Sequence, residues 1–193
     1  MKTLYIFYLF ILIALAQLYI PAKMIYNQEN ILKTGVAYKF KTQPVDPSDP
    51  FKGKYIYLNY EASSISSNDS TWMPREVVYV AISKDALGFV VVDDVTRLEP
   101  EEGAYVKAPV EWYDGSQKVL NFSFPFTEFY MNEIKAYDAE VAHTTAQRDS
   151  TANTTYAEVY IKNGEGVLSN VFINDIPIAD YIEMEWWSYL SQD

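Results

Sequence analysis

The strongest pattern along the chain is a stretch in which polar positions do not recur at all. Residues 3–22 (TLYIFYLFILIALAQLYIPA) contain no charged side chain. About 20 helical residues at ~1.5 Å each span ~30 Å, the thickness of a bilayer's hydrocarbon core. A core helix of a soluble protein normally shows a polar face, and this run has almost none. Residues 3–22 therefore predict a transmembrane helix in the lipid bilayer, with Tyr5 and Tyr19 near its two interfaces. A cleaved signal peptide is the rival, because Lys2, the apolar run 4–13 and Ala14-Leu15-Ala16 before Gln17 fit its three regions. The apolar run continues through Leu18, Tyr19 and Ile20 beyond that cut, which favours an uncleaved anchor.

After residue 22 the periodicity changes. Residues 23–32 (KMIYNQENIL) place apolar groups at Met24, Ile25, Ile31 and Leu32, so the linker can extend the helix, with Gly35 as its stop. Residues 36–42 (VAYKFKT) alternate as a strand. Pro44, Pro47 and Pro50 exclude helix from the next stretch, and Asp46 and Asp49, each before a proline, start turns. Residues 54–61 then read as one strand, Tyr55 and Tyr57 on one face, Ile56, Leu58 and Tyr60 on the other. Two apolar faces predict a central strand.

A Ser/Asn-rich loop at 63–70 leads to 76–83 (EVVYVAIS), which pairs with 89–93 (FVVVD) as a hairpin. Further strands are predicted at 104–110, 118–124, 155–161 and 166–173, with Asn163-Gly164 as a two-residue hairpin turn. Residues 131–142 predict the one helix inside the domain; 142–153, polar and threonine-rich, predict an exposed loop. The expected fold is mainly β with one short helix, a single antiparallel sheet or barrel-like domain at 36–193. It stands behind an anchor at 1–22 and a linker at 23–35.

Composition narrows the chemistry. The net charge of −11 offers no basic stripe, so nucleic acid is not an expected partner. There is no cysteine, which removes disulfides, thiolate metal sites and thiol nucleophiles together. His143 is the only histidine and lies in the polar loop expected at 142–153, a poor setting for a catalytic base. One histidine without cysteine does not make a zinc site. Asp46, Asp49, Asp93 and Asp94 offer hard oxygens in expected turns but lack EF-hand spacing. Glu128, Glu133 and Glu140 are the candidates for a hydrolytic carboxylate pair. With neither a zinc set nor EF-hand spacing no metal is expected, and with no phosphate-cradling glycine loop no cofactor is expected.

One set of residues points to a family. Pro44-Val45-Asp46-Pro47, then Asp49, then Gly53-Lys54-Tyr55-x-x-Leu58-x-Tyr60, resembles the GDYXXLXY family of bacterial membrane-anchored proteins. FPFTEFYMNE, with Glu128, Phe129, Tyr130 and Glu133, is similar to that family's later aromatic-acidic segment, and YIKNGEGVLSNVFINDIPI to its closing strands. Lys54 stands where the family usually has aspartate. The resemblance implies a membrane-associated protein, often encoded beside a multi-pass membrane protein, and supplies no catalytic residues.

The expectation is therefore a single-pass, non-enzymatic accessory or binding domain acting with another membrane protein. The lysines at 23, 33, 39 and 41 favour a cytoplasmic domain on a plain count, but large C-terminal domains translocate largely regardless of charge. The default for an N-terminal signal anchor places the domain periplasmic or extracellular. Trp186 and Trp187, in the aromatic stretch 180–190, are the candidate interaction residues. The alternative is an envelope hydrolase using Asp or Glu carboxylates.

Overall fold

The computed structural model describes residues 2–43, 55–131, 133–148 and 153–190. Helix α1 (Lys2–Thr34) runs for 33 residues without a break, Pro21 included. The apolar run and the linker are thus one element. Its large apolar side chains from Leu4 to Ile20 are exposed, and it is long and apolar enough to cross a membrane. After it come β1 (Val36–Gln43), β2 (Tyr55–Tyr57), β3 (Asn59–Tyr60), β4 (Ser64–Ser66), β5 (Val77–Lys84), β6 (Val90–Thr96), β7 (Ala104–Asp114), β8 (Val119–Phe122) and β9 (Glu128–Tyr130). Helix α2 (Glu133–Arg148) precedes β10 (Thr155–Lys162), β11 (Glu165–Ile173), β12 (Ile176–Pro177) and α3 (Ile178–Leu190).

The strands form two five-stranded sheets and a ribbon. The first sheet has the order β12-β11-β10-β1-β3, the second β4-β8-β7-β5-β6, and the ribbon pairs β2 with β9. Every strand pairing is antiparallel. Bridges from Lys39 to Phe89 and from Val106 to Gly164 tie the sheets together. The β-rich, barrel-like antiparallel architecture behind an apolar helix is the one the sequence predicts. Alternation explains the core: Phe40, Val159 and Val171 from the first sheet meet Val80, Val106 and Leu120 from the second, all with no exposed surface. At its centre Phe40, Tyr60, Phe124 and Phe126 hold ring centroids 5.0 to 5.9 Å apart, most of them edge to face. Asn163 and Gly164 take the positive φ angles, 51° and 76°, that their hairpin turn requires.

Three expectations need correction. The strand expected at 54–61 breaks at Leu58, whose N–H donates to the Thr127 carbonyl (2.7 Å), so β2 pairs with β9 while β3 pairs with β1. It is not a central strand: β3 closes the edge of the first sheet. The loop expected at 63–70 contains β4, paired with β8. The exposed loop expected from residue 142 is helix to Arg148, because Ala139, Ala142, His143, Ala146 and Gln147 bury one continuous face.

Anchor and domain meet in a tight joint. Ile31 is buried, and the Gly35 N–H donates to the Ile31 carbonyl (2.7 Å). A Cβ on Gly35 would lie 2.6 Å from the Ile31 oxygen and 3.1 Å from that of Ile161, so only glycine passes between helix and sheet here. Lys162 Nζ donates to Thr34 Oγ1 at 2.7 Å, pinning the helix end to the β10–β11 hairpin.

Candidate functional site

The chain crosses from the first sheet into the second between β3 and β4, and a cleft of about 220 Å³ opens at that corner. Tyr60, Phe122 and Phe124 form its buried floor. A β-bulge shapes its rim. Val110 pairs with Phe122 and Trp112 with Asn121, which leaves Glu111 as the extra residue in β7. Uninterrupted alternation would send Trp112 inward with Val110. The bulge instead turns it outward beside Glu111, with 54% of the indole residue exposed. Tyr57, 48% exposed, lines the same cleft with Gln43, Asn59, Asn121 and Thr127. No Lys, Arg or His is among the described lining residues.

His143 lies elsewhere, against the inner face of β1 and β10. It is 2% exposed, and its Nε2 is 3.2 Å from Thr42 Oγ1 and 3.2 Å from Gln147 Nε2. Thr42 is in turn 2.8 Å from Thr155 Oγ1. The Gln147 amide donates, so Nε2 accepts and the ring is neutral. Burial pushes the His143 pKa down to about 4. Among the described residues its hydrogen-bond partners are Thr42 and Gln147, which form a packed polar network with Thr155.

Of the acidic candidates, Glu128 and Glu140 are described. The side chain of Glu133 lies outside the described residues, Glu140 is exposed on α2, and Glu128 on β9 accepts from the Tyr130 hydroxyl (2.5 Å). Asp93 and Asp94 sit in β6 and not in a turn; Asp93 is the bulged residue opposite β5 and accepts from Ser83 (2.8 Å). Among the described residues no group of three His, Asp or Glu could hold a metal.

A charge cluster around Arg97 was invisible in the sequence. Arg97 stacks over Trp72 at 3.9 Å, donates to Asp69 (2.7 Å), Glu76 (2.6 Å) and Thr71 (3.1 Å), and so fastens the β4–β5 loop. Hydrogen bonds from Thr71, then from Arg97, pull the Asp69 pKa down to about 2. On the first sheet Tyr156 donates to Asp175 (2.8 Å), with Lys39 3.4 Å from the same oxygen.

The motif residues divide between the core and the rim. Ile56, Leu58 and Tyr60 are buried, and the Tyr60 hydroxyl donates to the Phe126 carbonyl at 2.6 Å. Burial raises the Tyr60 pKa far above the ordinary phenol value. In the ribbon Tyr55 faces Tyr130, Ile56 faces Phe129 and Tyr57 faces Glu128. Pro44, Asp46, Pro47, Asp49 and Gly53 lie outside the described residues, as does the Tyr55 side chain. A family model described as GDYXXLXY protein matches residues 17–171. The chain belongs to the GDYXXLXY family. No curated protein and no solved structure matches it.

The fold gives the GDYXXLXY motif a physical meaning. Its strand and the later aromatic-acidic segment are direct partners, so Leu58, Tyr60, Phe124 and Phe126 close one aromatic core. Tyr57 and Asn59, at the variable positions of the motif, line the cleft instead. The backbone of Trp186 and Trp187 belongs to α3, which packs on α2, β11 and β12 through Ile178 and Ile182. The two indoles lie outside the described side chains.

Proposed function

We propose that this GDYXXLXY protein is a single-pass membrane protein whose β domain stands outside the cytoplasmic membrane. There it serves another membrane protein as an accessory or binding domain. The observation that carries the reading is the joint at Ile31–Gly35, which makes anchor and domain one continuous body. Exposed apolar side chains continue to Met24, Ile25 and Tyr26. Residues 27–34, about 12 Å of helix, then separate the bilayer from the first strand. Cleavage after Ala16 would leave Leu18, Tyr19, Ile20, Met24, Ile25 and Tyr26 projecting into water, which argues for retention of the helix.

The continuous helix, joined to the sheet at Gly35 and Lys162, keeps the domain close to the bilayer, which suits work beside a membrane partner. Within the span, Gln17 carries an amide that lipid cannot satisfy and a neighbouring helix can. The outward orientation rests on the default for an N-terminal anchor with a large C-terminal domain. Among the described residues, Glu128 and Glu140 do not supply a carboxylate pair that would favour the hydrolase alternative.

The test is purification of the tagged full-length chain from membranes in mild detergent after cross-linking. The expected result is recovery of a defined multi-pass membrane protein, reduced by Gln17→Leu. A chain that stays monomeric and alone contradicts the reading.

A further inference from the structure

We propose that the cleft at the β3–β4 corner binds a neutral sugar ring of a glycan. The bulge in β7 is the first ground. It costs ladder hydrogen bonding and turns an indole out of the core, and Trp112 and Glu111 together at the cleft rim are what it produces. Trp112 and Tyr57 thereby present two half-exposed aromatic groups to a polar hollow. The negative face of an aromatic ring attracts the polarised C–H groups on one side of a pyranose, and the ring's bulk covers them from water.

The polar lining is the second ground. Asn59 and Asn121 offer amides, Thr127 a hydroxyl and Glu111 a carboxylate, so donors and acceptors stand side by side. Sugar hydroxyls are each donor and acceptor and match such a mixture. No hydrogen bond joins the side chains of Glu111, Asn121 or Thr127 to another described residue.

Charge and size narrow the class further. With Glu111 present and no cation among the described lining residues, a phosphate, sulfate or carboxylate ligand is repelled. The 220 Å³ volume falls below the ~300–1,000 Å³ of pockets for drug-sized ligands and suits a single ring. A peptide is the other neutral polar occupant. It is normally held through backbone hydrogen bonds along a strand edge, whereas the groups offered here are side-chain amides and hydroxyls.

This inference goes beyond the partner reading and stands without it, since the described lining residues all belong to the β domain. The test uses the full-length chain in a detergent without a sugar headgroup, because a maltoside or glucoside micelle would supply the ligand. Saturation-transfer NMR is recorded with the methyl glycosides of glucose, galactose, mannose and N-acetylglucosamine, and with trialanine as the peptide probe. The expected result is transfer to the ring protons of at least one sugar. Trp112→Ala and Asn121→Ala should each weaken the affinity about tenfold at an unchanged melting temperature. If Trp112→Ala does not fold, Glu111→Gln takes its place, with the same loss expected. Transfer to no sugar, transfer to trialanine alone, or sugar binding that survives these substitutions overturns the proposal.

Discussion

Buried His143 should make this domain less stable as the pH falls below neutrality. The ring is 2% exposed and accepts through Nε2, and burial holds its pKa at about 4 against 6.5 in an open chain. A base whose folded pKa is depressed stays neutral in the fold while the unfolded chain takes up the proton. Its stability contribution is therefore complete above pH 6.5 and lost progressively as the pH falls to about 4. The difference of about 2.5 units corresponds to a loss of about 2 kcal/mol by pH 5 and about 3 kcal/mol by pH 4. Against a typical total of about 5–15 kcal/mol that loss is large. Asp69, held near 2, and the lowered carboxyls of Glu76, Asp114 and Asp175 lose their contributions at lower pH than the histidine does. Urea unfolding of the full-length chain in detergent, followed from pH 7.5 to 5, measures the effect. His143→Gln removes the titrating group and should flatten the slope, whatever its own stability. Equal slopes for wild type and variant would refute the reasoning.

The remaining predictions concern the joint, the motif and the surface cluster. Gly35→Ala drives a methyl into two backbone carbonyls and should cost about 1–3 kcal/mol, read as a lower melting temperature. Tyr60→Phe leaves the buried Phe126 carbonyl without its donor and should cost about 1–3 kcal/mol by urea titration. Leu58→Ala opens the core beside it and should cost about 2–5 kcal/mol in the same assay. Arg97→Ala should raise the Asp69 pKa from about 2 toward the ordinary aspartate value, followed by carboxyl NMR titration.

Much of the fold is legible in the side-chain pattern, and the misses have physical causes. Strands such as Val36–Gln43 and Thr155–Lys162 announce themselves because one face is buried, and Asn163-Gly164 because only certain residues accept its backbone angles. The break at Leu58 is silent: alternation runs on through Tyr60 while the hydrogen-bond partner changes from β9 to β1. The extension of α2 is hidden for another reason. Its buried face at positions 139, 142, 143, 146 and 147 has helical spacing but is built from Ala, His and Gln, so hydrophobicity alone misses it. The cleft is less legible still. Asn59 and Asn121 lie in different sheets, and only the extra residue in β7 brings Trp112 to them.

The claim that the intact helix holds the domain outside the membrane is tested most directly by labelling a single introduced cysteine. The chain has no cysteine of its own, and Leu98 is 80% exposed, so Leu98→Cys provides a unique handle on the domain. A membrane-impermeant maleimide is applied to intact cells that express the chain, and the mass of the labelled chain is then read. Labelling without lysis, on a chain that keeps residues 3–22 and sediments with membranes, is the expected result. Labelling only after lysis, or a labelled chain shortened at Ala16, would contradict the account.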